Sequence, residues 1–257
     1  MKKICYICIF VFVISLIGIF CFFTQKETVA IIGAMDAEIN EYIKNISHPK
    51  NKQYCDFEVT AGNLGKYRLI ISKSGVGKVN SSVTAQYIID KYHPKYIINT
   101  GIAGALSPDL KAGDIIIAQK MVQHDFDVTA FGNPKGYMDN GIEPDKPTFY
   151  YSDKDLINYF IEKSKNKNLK TGTIATGDIF VADKNTKNAI KKEFGANLVD
   201  MESAAIAQVA QKNNIPVIVL RTVSDEIQDT TKEYKQNKQK AALQPALAVV
   251  QVLKSGN

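Results

Sequence analysis

"LVDMESAAIAQVA", residues 198–210, begins as a short apolar strand, passes two carboxylates and ends as an alanine-rich helix. A strand that turns directly into a helix is half of a βα unit, so this stretch argues for an α/β fold. Asp200 and Glu202 stand at the turn, although the following "SAAIA" is as small and apolar as a buried helix start must be. Acids at a helix N-terminus ordinarily cap free N–H groups or complement the helix dipole. Inside a packed core a carboxylate needs donors as well, and the hydroxyls of a bound sugar would supply them.

The same punctuation recurs outward in both directions. "TVAIIG", "CDFEVTAG", "YRLIISKSG", "KYIINTG", "GDIIIAQKMVQHD", "LKTGTIATGD", "ANLVDM" and "PVIVLRTVSD" read as strands. "AMDAEINEYIKNI", "KVNSSVTAQYIIDKYH", "DKDLINYFIEKSK" and "ESAAIAQVAQKN" read as helices between them, the second with apolar positions at Val79, Val83, Tyr87 and Ile88. "NLGK" joins the second and third strands as a hairpin, and "ALAVVQVLK" closes the chain as a helix that Pro245 can open or kink. Residues 131–148, rich in Gly, Pro and Asn, read as a long loop of the kind that binds or covers a ligand. The expectation is a single α/β domain with a central mixed β-sheet flanked by helices. Six strand ends, "IIGAMDAE", "SGVGK", "NTGIAGAL", "ATGDIF", "VDMES" and "TVSD", are small or acidic. Ligands of open α/β sheets bind beyond the strands' carboxyl ends, so these segments can converge on one site.

The first 25 residues stand apart. Lys2 and Lys3 precede an uncharged stretch at residues 4–23, about the 20 residues a helix needs to cross a bilayer. Basic residues before it, against the balanced Lys26 and Glu27 after it, favour export of the remaining chain. Residues 1–25 therefore read as a signal peptide or membrane anchor, with Cys21 as a lipidation point if the segment is a lipoprotein signal, and residues 26–257 as the folded domain. Three of the four cysteines lie in the apolar segment, which leaves Cys55 alone in the domain and rules out a disulfide framework there. His48, His93 and His124 have no ligand spacing, so no metal is expected.

At 45% hydrophobic and 23% charged residues the chain has the composition of a folded protein. Its net charge is +6, and setting Lys2 and Lys3 aside leaves 30 basic residues against 26 acidic ones. Runs such as "KSKNKNLK" and "KEYKQNKQK" carry much of this excess and read as solvated surfaces. On an exported protein they could also attract an anionic polysaccharide. No cofactor and no nucleic-acid partner is expected.

Taken singly, the candidate residues have ordinary explanations. Glu38 is a first-turn acid, Ser224 and Asp225 end a strand as a cap would, Arg221 can pair with any nearby acid, and Phe180 fits a core. The glycines of "NTGIAG" and "SGVGK" match no full nucleotide-binding pattern.

Their order is more specific. "AIIGAMDAE", "SGVGKVN", "NTGIAGAL", "DVTAFG", "ATGDIFV", "VDMESAAIAQV" and "VLRTVSD" together resemble the bacterial 5′-methylthioadenosine/S-adenosylhomocysteine nucleosidases of the nucleoside phosphorylase superfamily, over nearly the whole chain after about residue 28. The resemblance implies a nucleoside phosphorylase-like fold and hydrolysis of the bond between adenine N9 and ribose C1′ through an oxocarbenium-like transition state. It implies Glu38 as the base that activates water, and Asp225 as the acid serving purine N7, with Ser224 beside it. Glu202 would accept from the ribose hydroxyls while Met201 packs on the sugar, and Arg221 would position the water and Glu202. Phe180 would stack on adenine, the Val181 backbone would read the base edge, and Met35 and Val76 would line the pocket. Val128 and Phe131 would reach across a homodimer interface to the neighbour's alkylthio group. For Asp225 to donate a proton, burial must keep its carboxyl protonated.

This chain departs from the family pattern in three places. Ile102 stands where the family commonly has Ser, which removes a hydroxyl contact to the water. Asp200 replaces a Glu in a supporting role, and the segment after "SDE" diverges, with Tyr234 as a candidate pocket aromatic. Two other functions fit less well: phosphorolysis, where Glu38 would repel the attacking phosphate, and a polyanion-binding adhesin on the same fold.

Overall fold

The computed structural model describes residues 26–139, 145–166, 169–227 and 230–256. The apolar segment at residues 4–23, expected to be a helix, lies outside them. Among the described residues no helix is long and apolar enough to cross a membrane.

Ten strands form one mixed sheet: β1 (Glu27–Gly33), β2 (Ser47–Tyr54), β3 (Phe57–Leu64), β4 (Tyr67–Lys73), β5 (Tyr96–Ala105), β6 (Ile115–Gln123), β7 (Phe149–Tyr151), β8 (Lys170–Thr176), β9 (Leu198–Asp200) and β10 (Val217–Asp225). The spatial order is β10-β6-β8-β9-β5-β1-β4-β3-β2, with β7 on β6. Because β10 pairs with β5 as well as with β6, strands β5, β10, β6, β8 and β9 close into a ring. β1, β5 and β10 run parallel, and their apolar runs at residues 29–32, 96–98 and 217–220 are buried because helices cover both faces.

The helices are α1 (Asp36–Asn45), α2 (Lys78–Tyr92), α3 (Lys154–Lys163), α4 (Lys184–Phe194), α5 (Ser203–Lys212) and α6 (Thr230–Ser255). One face of the sheet packs Ile97, Val217 and Val219 under α2 and α5, through Ala85, Ile88 and Ile206. The other packs Ile98, Ile218 and Leu220 under α1 and α6, through Ile39, Tyr42, Val249 and Leu253.

Several elements depart from expectation. β2 is exposed along its whole length and β7 has three residues, so neither carries the buried periodicity that marks a strand. β7 also begins directly after the stretch expected to be one loop. α6 runs through Pro245 and begins fifteen residues before it, so Pro245 does not open the last helix. Of the apolar positions expected on α2, Ile88 is buried, whereas Val79 and Val83 are exposed, which leaves an uncovered apolar face.

Candidate active site

One cavity gathers the ends of β1, β5, β9 and β10, the start of α2, the loop after β8 and the first half of α6. Glu38, Glu202 and Asp225 all line it, with Asp200 beside them and no Lys or Arg side chain among the lining residues. Six Asp, Glu, Lys and Arg side chains are buried among the described residues: Glu38, Lys187, Asp200, Glu202, Arg221 and Asp225. All six either line this cavity or are bonded to a residue that does. Ionic groups are costly to bury, and their collection at one place marks a functional site.

Glu38 is fixed entirely by backbone donors. Its Oε2 accepts from the N–H of Ala34 at 2.7 Å and of Met35 at 3.0 Å, and its Oε1 accepts from the N–H of Ile102 at 3.0 Å. The first two are groups at the start of its own helix, so the acid caps α1 and faces the cavity at once. A Cβ on Gly101 would lie 2.6 Å from Glu38 Oε1 and 3.2 Å from Arg221 Cζ, so this glycine permits both side chains to close on the strand. Burial raises the pKa of Glu38, and the Arg221 charge and the backbone donors oppose that rise only in part.

Asp200 and Glu202 divide the labour at the turn into α5. Asp200 does the capping: its carboxylate accepts from the Ser203 N–H at 3.2 Å and from the Ser203 hydroxyl. It also takes Arg221 Nε at 2.9 Å and the Thr176 hydroxyl at 2.6 Å. Glu202 occupies the N-cap position of α5 yet makes no side-chain cap. Its Oε1 instead accepts from the N–H of Gly77 at 3.0 Å, and its Oε2 lies 3.7 Å from Arg221 Nη2. Burial, then the charge of Asp200, push the Glu202 carboxyl up, while Arg221 pulls it down.

Asp225 ends β10 beside a register shift between Val223 and Asp225, which breaks the strand's alternation and lets Ser224 and Asp225 both line the cavity. Its Oδ1 accepts from the Ser224 hydroxyl at 2.7 Å and its Oδ2 from Lys187 Nζ at 2.9 Å. Burial is as expected, but the carboxylate is ion-paired. Lys187 has no accessible side-chain surface. No sequence reading singled it out, although Lys187, Ile190 and Phe194 form the buried stripe of α4, and a lysine at a core register was the available signal.

Met35, Val76, Ile102, Phe180, Val181, Met201 and Ser224 also line the cavity, as does Tyr234, whose ring meets Phe180 edge-on at 5.1 Å between centroids. Ile179 lines it too and was not anticipated. Arg221 stands behind the acids, its Nη2 also bonded to Asn99 Oδ1 at 2.8 Å. Val128 and Phe131 are not among the lining residues, and Phe131 is 84% exposed. Ile102 contributes its backbone N–H to Glu38, and its side chain packs with Ala241, Ala242, Met35 and Tyr234.

Comparison with known proteins decides the lineage. The model of the phosphorylase superfamily matches residues 28–254. A 5′-methylthioadenosine/S-adenosylhomocysteine nucleosidase of Bacillus cytotoxicus is 34% identical over 232 residues, covering 88% of this chain and 98% of that protein. The chain belongs to the phosphorylase superfamily, among the 5′-methylthioadenosine/S-adenosylhomocysteine nucleosidases. The crystal structure of such a nucleosidase from Neisseria meningitidis, in complex with methylthio-immucillin-A, superposes with a TM-score of 0.83 at 33% identity, covering 89% of this chain and 99% of that one. An aminodeoxyfutalosine nucleosidase of Campylobacter jejuni is also 34% identical, over 77% of this chain and 85% of that protein. Nucleosidases named for different substrates are thus similarly related to this chain.

Proposed function

We propose that the protein hydrolyses the N-glycosidic bond of 5′-methylthioadenosine and S-adenosylhomocysteine, releasing adenine and the 5-thioribose product. The observation that carries this reading is the cavity's charge: Glu38, Asp200, Glu202 and Asp225 line it, and no cationic side chain does. Glu38 and Glu202, which have no cation at hydrogen-bond distance among the described residues, favour in their ionised form a sugar that becomes cationic as its bond to adenine breaks, and an ionised Glu38 opposes an attacking phosphate.

In this reaction Glu38 takes a proton from water as the oxygen bonds to C1′. Its raised pKa strengthens it as a base, and its three backbone bonds keep it aimed. Glu202 accepts from the ribose hydroxyls, and Met201 packs against the sugar. Asp225 serves N7, so the departing purine leaves without carrying a full negative charge. Phe180 and Tyr234 give the base an aromatic wall, and the backbone of Val181 reads its edge. Arg221, bonded to Asp200 and Asn99, holds the carboxylate cluster in place behind the sugar.

The protein acts as a homodimer. Val76, Val79, Val83, Phe131 and Ile179 are exposed apolar side chains, and a second copy packed over them would bring Val128 and Phe131 to the neighbour's alkylthio pocket. Residues 1–25 direct export and leave the domain outside the cytoplasm, anchored or lipidated.

Adenine release from methylthioadenosine, S-adenosylhomocysteine and 5′-deoxyadenosine, each with and without phosphate, tests the reaction. The reading expects release without phosphate, and strict phosphate dependence would replace it with phosphorolysis.

A further inference from the structure

Lys187 is the buried charge that the reaction above does not use. Lys187 Nζ donates to Asp225 Oδ2 at 2.9 Å and to the carbonyl of Glu226 at 2.8 Å. Both ion-pair partners are buried, Lys187 completely. The lysine reaches them from α4, whose N-terminus is capped by Asp183, accepting from the Thr186 N–H at 2.8 Å. Ile190 and Phe194 anchor the same face of the helix in the core. α4 thus delivers a single fixed cation to the carboxyl assigned to the leaving group. On the other side of Asp225, a Cβ at Gly104 would lie 2.9 Å from Oδ2, so the oxygen bonded to Lys187 is held between the ammonium and the strand.

A buried ion pair is an expensive way to hold a helix, since an apolar side chain at position 187 would continue the stripe of Ile190 and Phe194. Its position against Asp225 gives it a second role. We propose that Lys187 is a positioning residue for adenine departure: its two hydrogen bonds fix the carboxyl of Asp225 relative to the Glu226 backbone. The inference rests on the reading of Asp225 as the group that serves N7. On it, the acid of this enzyme is the Asp225–Lys187 pair.

The test is a double-mutant cycle on the full-length chain, with adenine release from methylthioadenosine as the readout. Lys187→Met should lower kcat by about 10-fold or more with a smaller change in KM, within the range a general acid contributes. Lys187→Arg, which keeps a cationic donor, should retain more of kcat than Lys187→Met. In an Asp225→Asn background, Lys187→Met should change kcat less than about twofold, since the group it acts through is already gone.

An equal loss from Lys187→Met in the wild-type and the Asp225→Asn backgrounds would overturn the proposal, as would a loss confined to KM. If the single variant does not fold, the comparison of Asp225→Asn with the double variant still decides, because the double variant leaves no unpaired charge buried. An Asp225→Asn enzyme with wild-type kcat would instead strike at the role of Asp225 itself.

Discussion

Arg221 is bonded to Asp200 at 2.9 Å through both Nε and Nη2, while Glu202 Oε2 stands 3.7 Å away. The acid on one side of Met201 therefore holds the arginine, and the acid on the other keeps an oxygen for the cavity. Asp200→Asn would weaken the charge pairing on Arg221 without touching the sugar subsite directly. It should lower stability by about 1–3 kcal/mol, the cost of weakening the bonds to a buried charged group that retains Glu202 at 3.7 Å, read by denaturant titration. Glu202→Gln should raise KM and lower kcat while leaving the fold intact, since Gln can still accept from the Gly77 N–H.

Removal of the base is the sharper kinetic test. Glu38→Gln should reduce kcat by roughly 10²–10⁴-fold, the range of a general base, while a substrate analogue still binds. The variant keeps a carbonyl oxygen for the Ala34 and Met35 N–H groups and loses only the acceptor for the Ile102 N–H, so its circular dichroism spectrum should still show a folded chain.

The pH dependence follows from the direction in which burial moves Glu38. Because its pKa is raised above 4.5, the carboxylate needed as a base is lost at a higher pH than an exposed glutamate would be. The acid limb of kcat/KM should fall above pH 4.5, and a limb at or below the ordinary glutamate range would contradict the assignment.

Stability should respond with the opposite sign to that of a salt-bridged acid. Glu202 is raised from 4.5 in the folded chain, so above pH 4.5 the folded state binds more protons than the unfolded state. The stability linked to Glu202 is fully present below pH 4.5 and is lost as pH rises through its folded value. Glu202→Gln should therefore gain stability relative to the wild type as the pH is raised from about 5 to about 8, measured by paired thermal melts.

Gly101 offers a steric check. A methyl group there would meet Glu38 Oε1 at 2.6 Å, so Gly101→Ala must displace the base or the strand. The expected cost is about 1–3 kcal/mol of stability, together with a loss of kcat larger than any rise in KM.

The sequence disclosed the βα rhythm because β1, β5 and β10 carry apolar runs followed by small or acidic ends, and it disclosed the three acids because each sits at or just after such an end. β2 and β7 were hidden by polarity and shortness. The first half of α6 was hidden by a lysine-rich run that reads equally as solvated helix or loop. The partner of Arg221 was open because Asp200 and Glu202 are two residues apart, and only the backbone path decides which one turns inward. Lys187 was missed for a related reason: lysine in a lysine-rich helix looks like surface, and only the register with Ile190 and Phe194 places it in the core.

The account depends on Glu38, Glu202 and Asp225 converging on a single nucleoside. A crystal structure of the protein with an unreactive 5′-thioadenosine analogue tests that most directly. It should show Glu202 on the ribose hydroxyls, Asp225 at N7, and a water between Glu38 and C1′. An analogue seated elsewhere, or touched by only one of the three carboxylates, would contradict it.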